Sequence, residues 1–440
     1  MTVTISNSPG ALDVTRGERA VVVGIERAGS DSDGRSAEAR LAEAIGLAEA
    51  IGVTVVGSRT FRLRAPKPAT LLGKGQIEQL AELASEHHAG LLVVDAPLTP
   101  VQQKSLEEKV GTKVIDRTSL ILEIFGERAA TSEGRLQVEL AHLDYQAGRL
   151  VRTWTHLERQ RGGFGFLGGP GETQIEADRR LIRDRMARIR RELEQVTRTR
   201  SLHRDRRQRA PWPVIALVGY TNAGKSTLFN NLTGGDVVAE DMLFATLDPT
   251  MRDVRLPGFD KAILSDTVGF VSDLPTQLVA AFRATLEEVA SADLLVHVRD
   301  ISHPDRDSQR EDVENVLAQL GVGPEDEGAP PMIEAWNKVD LLSGQERDAL
   351  LTEAGRREDV VPISALTGAG VGDLQQHMAD LLHKGAQLHE VSLPAGDGGK
   401  IAWLHARGEV IGQETRDSHV HLKVRLSPEN WARFQSLQSA

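Results

Sequence analysis

Cysteine is absent from all 440 residues. Disulfides, thiolate zinc sites and a cysteine nucleophile are thereby excluded, and the composition fits a reducing compartment. Long apolar runs are also missing. No stretch approaches the roughly 18 residues of a membrane span, and Met1 to Leu12 shows no basic start followed by an apolar core. A cytoplasmic protein without integral membrane association is expected. The third absence is local: residues 149 to 209 contain no lysine, yet they hold 17 Arg against 8 acidic residues. The chain as a whole carries a net charge of −11, which argues against nucleic acid as a general partner. One arginine-rich segment therefore sits in an acidic protein.

What is present is ordinary for a soluble globular chain, with 40% hydrophobic and 26% charged residues. The length exceeds one core and predicts about three domains. The most informative stretch is Val214 to Val218, a β-branched apolar run, followed by Gly219-Tyr220-Thr221-Asn222-Ala223-Gly224-Lys225-Ser226 and a helical pattern over Thr227 to Leu232. This is G-x-x-x-x-G-K-S between a strand and a helix, the context that a phosphate-binding loop requires. Backbone N–H groups must converge on phosphate oxygens, which side chains at Gly219 or Gly224 would obstruct. Lys225 is expected along the β- and γ-phosphates, with the Ser226 hydroxyl on Mg²⁺. The helix that follows contributes its positive end.

Four further motifs follow in order. Phe244-Ala245-Thr246-Leu247-Asp248 lies in a loop-like stretch, and Thr246 is its best candidate to complete the Mg²⁺ shell. Asp266-Thr267-Val268-Gly269 ends a strand; Asp266 supplies a carboxylate to that shell and Gly269 a backbone N–H to the γ-phosphate. Both loops are then ordered by a triphosphate and released on hydrolysis. Asn337-Lys338-Val339-Asp340 chooses the base. The Asp340 carboxylate can accept from N1–H and the 2-amino group of guanine together, a donor pair that adenine lacks. Lys338 is placed along the base plane, and in Ser364-Ala365-Leu366 the Ala365 N–H is expected to reach guanine O6. Any one motif is weak, but five in this order over 146 residues are specific.

Around this domain the chain divides into residues 1–130, 131–210, 211–385 and 386–440. Residues 18 to 128 alternate strand and helix patterns and predict a small βαβ domain with a parallel sheet. Within it Gly73-Lys74-Gly75 could hold a phosphate at a helix start, although a turn with a solvated lysine is commoner. From Ser132 the spacing changes: Leu136, Leu140, Leu143, Ala147 and Leu150 face Ile175, Ile182, Met186, Ile189, Leu193 and Val196 in an antiparallel helical hairpin. Between the helices, residues 161 to 171 form a glycine-rich tip carrying Phe164, Phe166 and Leu167. Such a tip cannot bury its aromatics and invites a partner. Arg149, Arg152, Arg159 and Arg161 on one side, with Arg179, Arg180 and Arg183 on the other, point to RNA rather than DNA. Residues 386–440 alternate strands and helices as a small α+β domain whose sequence carries no nameable chemistry. No long exposed apolar stripe is left over, so a monomer is expected.

The fold class expected is α/β: a P-loop GTPase domain preceded by the βαβ domain and the hairpin, and followed by the α+β domain. The guanine motifs resemble those of translation-factor-related GTPases. The sequence from Arg161 through Gly-Gly-Phe-Gly-Phe-Leu-Gly-Gly-Pro-Gly-Glu-Thr-Gln to Arg180 narrows this. With Gly219 to Ser226, Phe244 to Thr250 and Asp266 to Phe270, it resembles the HflX family of ribosome-associated GTPases over about residues 20 to 385. The resemblance implies a GTPase on the large ribosomal subunit, its hairpin tip directed into ribosomal RNA, which in some members splits stalled or idle ribosomes under stress. It also implies ATP use through the N-terminal domain in some members, for which only Gly73-Lys74-Gly75 speaks here. Phe270 stands where Ras-like enzymes carry a water-orienting glutamine, so slow intrinsic hydrolysis and help from a partner or ion are expected. Asn222 occupies the place that helps hold K⁺ in potassium-activated relatives. The alternatives are a GTPase of RNA modification or ribosome assembly, and a nucleotide-dependent scaffolding module without turnover.

Overall fold

The computed structural model describes residues 16–27, 35–160, 174–208, 212–235, 244, 250–272, 286, 288–324, 326, 329–384, 387–416, 418–426 and 428–438. The chain opens with β1 (Arg19–Arg27), α1 (Ala37–Ala50), β2 (Thr54–Leu63), α2 (Lys74–Glu86), β3 (Leu91–Asp95), α3 (Pro100–Val110), β4 (Lys113–Asp116) and α4 (Arg117–Arg128). The strands form a sheet in the order β2-β1-β3-β4, every pair parallel. Residues of both parities are apolar because both faces are covered. Ala20, Val22, Leu91, Val93 and Ile115 belong to the same core as residues of α1 and α4, while Val21, Val23, Leu92, Val94 and Val114 belong to that of α2 and α3. The helix starts are written in side chains: Ser36 accepts from the Ala39 N–H, and Thr99 and Gln102 close a capping box with Pro100 at the first position.

Two elements here go beyond the sequence expectation. β2 runs from Thr54 through Leu63, well past the apolar stretch Val53 to Val56. Helix α4 was not anticipated because Leu120, Ile121, Leu122, Ile124 and Phe125 are all buried; a helix apolar on most sides has no amphipathic period to recognise.

Helices α5 (Ser132–Gln160) and α6 (Gln174–Gln208) follow. Leu143, Met186 and Ile189 form their seam, with Leu136, Leu140, Ile182 and Leu193 packed against it. Arg185 adds a forked contact to Glu139 at 2.7 and 2.8 Å. The tip, with Phe164, Phe166 and Leu167, lies outside the described residues.

The next sheet comprises β5 (Val214–Val218), β6 (Thr250–Leu256), β7 (Phe259–Asp266), β8 (Leu294–Asp300), β9 (Met332–Asn337) and β10 (Val360–Pro362), in the order β10-β9-β8-β5-β7-β6. All pairs are parallel except β6 on β7. Edge strand β6, Thr-Met-Arg-Asp-Val-Arg-Leu, carries charges that hide its alternation from the sequence. Helices α7 (Lys225–Thr233), α8 (Arg306–Gln319), α9 (Gly344–Ala354) and α10 (Val371–Lys384) flank this sheet. The chain ends in β11 (Gln387–Pro394), α11 (Gly398–Arg407), β12 (Glu409–Arg416), β13 (His419–Leu426) and α12 (Pro428–Gln438), an antiparallel sheet ordered β11-β13-β12 around Leu404, Leu422, Val424 and Phe434. Among the described residues, no helix is long and apolar enough to cross a membrane.

One core is shared between the two large sheets. Ile124, Phe125 and Val138 pack in the same cluster as Ala216, Val218, Phe244, Val268 and Phe270. Phe125 of α4 meets Phe244 edge to face, with centroids 4.7 Å apart. The N-terminal sheet and the P-loop sheet are therefore joined by packed apolar side chains.

Candidate nucleotide site

The site lies at the carboxyl ends of β5, β7, β8 and β9, where loops of a parallel sheet converge. At the first loop the backbone leaves no room for side chains. A Cβ on Gly219, at φ 149°, would come within 2.2 Å of the Val298 carbonyl oxygen, and one on Gly224, at φ 94°, within 2.2 Å of Asn337 Nδ2. Asn222 is also left-handed, at φ 59°. Lys225 opens α7 and is buried; its Nζ donates to the Gly219 and Tyr220 carbonyls at 3.1 and 2.8 Å. Burial pushes its ammonium down to about 8, with Asp266 partly opposing. The lysine is thus held in the loop by carbonyls, beside the place its role requires.

Ser226 donates to Asp266 Oδ2 at 2.8 Å, and Asp266 is fully buried at the end of β7. A hydroxyl and a carboxylate in contact form a hard oxygen pair that suits Mg²⁺. Thr267 turns inward to the Leu217 carbonyl at 2.6 Å and Val268 is buried. Gly269 lies against the P-loop, since a Cβ there would stand 2.8 Å from Thr221 Cγ2 and 3.1 Å from Lys225 Nζ. Phe270 continues the contact through backbone bonds, its N–H donating to the Gly219 carbonyl at 3.1 Å and its carbonyl accepting from the Thr221 N–H at 2.7 Å. The Phe270 side chain is 1% exposed and sits in the shared core. Of the loop expected over Phe244 to Asp248, only Phe244 is described. It is buried at φ 58° against Phe125; Ala245, Thr246, Leu247 and Asp248 lie outside the described residues.

At the end expected to read the base, Asn337 braces two loops. Its Nδ2 donates to the Ala223 carbonyl at 2.8 Å, and its Oδ1 accepts from the Ala365 N–H at 2.8 Å. The Ala365 N–H, expected on guanine O6, is the donor to Asn337 Oδ1 here, so the same N–H links the Ser364-Ala365-Leu366 loop to the Asn337 loop. Lys338, left-handed at φ 66°, is fixed by Asp300 at 2.8 Å. Val339 and Ser364 are buried, whereas Asp340 and Leu366 are exposed. The structure therefore brings together the first, third, fourth and fifth motifs.

Other residues at the site were not legible as functional. Glu43 of α1, Arg117 of α4 and Arg35 reach the P-loop and the loop after β7 through Tyr220 and Ser272. A signal was available in Arg117, a charged residue directly after a buried strand. The loop Gly73-Lys74-Gly75 goes the other way. The Gly73 N–H is taken by Gln76 Oε1 at 2.9 Å, and Lys74 is an exposed partner of Glu78.

Four family models cover the chain nearly end to end: GTP-binding GTPase N-terminal over residues 38–126, GTP-binding GTPase middle region over 128–207, 50S ribosome-binding GTPase over 214–338 and HflX C-terminal domain over 349–436. A GTPase HflX of Magnetococcus marinus is 49% identical over 395 residues, 90% of either chain. The chain belongs to the HflX GTPases. The HflX of Escherichia coli K12 is 42% identical over 88% of this chain and 90% of its own. The GTP-binding protein of Sulfolobus solfataricus solved with GDP is 23% identical, covering 83% of this chain and 98% of its own at a TM-score of 0.44. As an HflX GTPase the protein is a GTP hydrolase, with GTP and GDP as its nucleotides. The HflX C-terminal model begins at residue 349, within what the sequence suggested as the P-loop domain.

Proposed function

We propose that this GTP hydrolase is a cytoplasmic, monomeric switch that binds the large ribosomal subunit and acts in stress-related splitting or rescue of ribosomes, its basic hairpin tip contacting ribosomal RNA. The observation that carries this reading is the hairpin itself. Helix α6 alone has 35 residues, about 52 Å at 1.5 Å per residue, and residues 149 to 209 bring a surplus of nine positive charges. A long arm with an arginine-rich far half suits a partner of phosphates and irregular surface. The four segments 1–130, 131–210, 211–385 and 386–440 serve this division of labour.

Within the site we assign Lys225 and Gly269 to the β- and γ-phosphates. The oxygen ligands Ser226, Asp266 and Thr246 would hold Mg²⁺, which neutralises charge developing on the phosphates. Asp340 reads guanine, Lys338 lies along its plane, and Asn337 keeps the loops of Ala223 and Ala365 at a fixed separation. Phe270, turned into the core, has no polar atom to orient water. Hydrolysis then waits on groups supplied in trans, which can be worth on the order of 10³ to 10⁵ in rate, and on K⁺ held with the help of Asn222. The test is GTP turnover in KCl and in NaCl, with and without large ribosomal subunits. Acceleration by the subunits is expected. Turnover indifferent to them would remove the ribosomal reading, and equal rates in the two salts would remove the potassium site.

A further inference from the structure

On the reading that Asp340 takes guanine, we infer that Glu334, Arg299 and Asp300 are positioning residues for base recognition, acting through Trp336 and Lys338. Glu334 of β9 is the centre of a buried polar cluster. Its carboxylate accepts from Trp336 Nε1 at 2.8 Å, from Arg357 at 3.0 Å and from Arg299. Arg299 stands opposite Trp336 on β8 and also donates to Asp307 at 3.0 Å and to the Arg306 carbonyl at 3.3 Å, at the start of α8. The Trp336 ring centroid lies 5.9 Å from each guanidinium. Glu334, Arg299 and Trp336 are all buried. The ends of β8 and β9, the start of α8 and the turn before β10 are thus tied to one carboxylate.

The cluster runs directly into Asn337-Lys338-Val339-Asp340. Trp336 precedes the motif, and its carbonyl accepts from the Ile363 N–H at 2.8 Å; the Asn337 carbonyl accepts from the Ile301 N–H at 3.1 Å. One residue beyond Arg299, Asp300 Oδ2 meets Lys338 Nζ at 2.8 Å, while its Oδ1 accepts from the Ser302 N–H and hydroxyl at 3.1 and 2.6 Å. Lys338 is left-handed at φ 66°, a conformation that a residue with a side chain keeps only where its surroundings impose it. Here they do so from both sides. Glu334 holds the residue two places before Lys338 through its indole, and Asp300 holds the ammonium. Asp340 lies two residues further on and is exposed, with Val339 between them bonded to the Ile363 carbonyl at 3.3 Å. Where its carboxylate stands is set from beneath.

The chemistry of the cluster favours a geometric task. Burying a guanidinium and a carboxylate is costly, and apolar side chains of similar volume often stabilise a fold equally well. What a bonded ionic cluster adds is one arrangement rather than several. Burial on its own would raise the Glu334 carboxyl, but the Arg299 charge, the bonds from Trp336 and Arg299 and the Arg357 charge hold it at about 2. It is an anion, and a strong acceptor, throughout the working range.

The test uses the full chain and compares GDP with inosine diphosphate, whose base lacks only the 2-amino group. Calorimetry gives both dissociation constants for the parent and for Glu334→Gln, Asp300→Asn, Trp336→Phe and Asp340→Asn. In the first three variants GDP binding should weaken by about three- to tenfold, the size of one ordinary hydrogen bond. Inosine diphosphate should lose less, so that the preference for GDP shrinks, because a displaced Asp340 no longer meets both donors. A cluster that only stabilises the fold lowers the melting temperature and leaves that preference alone. An unchanged ratio of the two constants in both Asp300→Asn and Trp336→Phe therefore overturns the inference, as does an equal weakening of both ligands. Asp340→Asn separates the two levels. If it keeps the preference for GDP, the reading of Asp340 falls and the inference with it; if it loses the preference while Asp300→Asn and Trp336→Phe match the parent, the inference falls alone. Should Glu334→Gln fail to fold because buried Arg299 is left without its carboxylate, Asp300→Asn and Trp336→Phe decide.

Discussion

The two ends of the nucleotide site are built on different plans. At the guanine end, Asn337 ties the loops of Ala223 and Ala365 together, and Asp300 fixes Lys338; all these residues belong to the P-loop sheet and its loops. At the γ-phosphate end, Ser272 and Tyr220 are held by Glu43 and Arg117 of the N-terminal domain, and Phe244 rests on Phe125. On the site assignment proposed above, the base end is built from the P-loop sheet and its loops alone, while the γ-phosphate end also rests on the N-terminal domain.

This contrast can be broken at either end. The largest effect is expected from Phe125→Ala, which empties a fully buried ring position and should cost about 3–5 kcal/mol of stability by denaturant unfolding. The surviving folded protein should keep its preference for GTP over ATP while losing hydrolysis; loss of base preference would contradict the division. Asp340→Ala works from the other side. It should weaken GTP binding by about 1.5–3 kcal/mol, the range for a hydrogen bond to a charged group, and the rate of hydrolysis at saturating GTP should hold.

A smaller effect comes from Lys225. With its ammonium at about 8 in the free protein, phosphate oxygens beside it favour the charged form, so binding takes up a proton above that pH. GDP affinity should be flat below pH 8 and weaken by up to about tenfold per unit above it, equivalent to 1.36 kcal/mol. A titration from pH 7 to 9.5 that stays level would place Lys225 away from the phosphates. The smallest effect belongs to Lys74→Ala, in an exposed pair with Glu78. Neither melting temperature nor nucleotide binding should move measurably; a clear loss of phosphate binding would revive the phosphate reading of Gly73-Lys74-Gly75.

Much of this was legible in the sequence because the informative residues are local. Gly219 to Ser226 follows its strand directly, and Asn337 to Asp340 does the same, so spacing alone placed them at strand ends. Leu136, Leu140 and Leu143 announced a helix whose partner, Ile182 to Leu193, is nearby in the chain. What escaped was long-range or without period. Helix α4 hides its amphipathic rhythm by being buried on most sides, and β6 hides its alternation under charge. Glu43 and Ser272 are 229 residues apart, and no local pattern announces a bond between them. The side-chain role of Tyr220 was likewise hidden, because the P-loop motif constrains its backbone and says nothing of its hydroxyl.

The hairpin is rooted at both domains that share this junction. Only Ala129 to Thr131 separate α4 from α5, and five residues separate α6 from β5. Its two feet thus stand on opposite sides of the seam that Glu43 and Ser272 close. An arm about 52 Å long turns a rocking of roughly 5° at such a footing into a sweep of about 4–5 Å at the far end. Any such rocking would reach the far end as a displacement the size of a side chain, with the length of the arm setting the amplification.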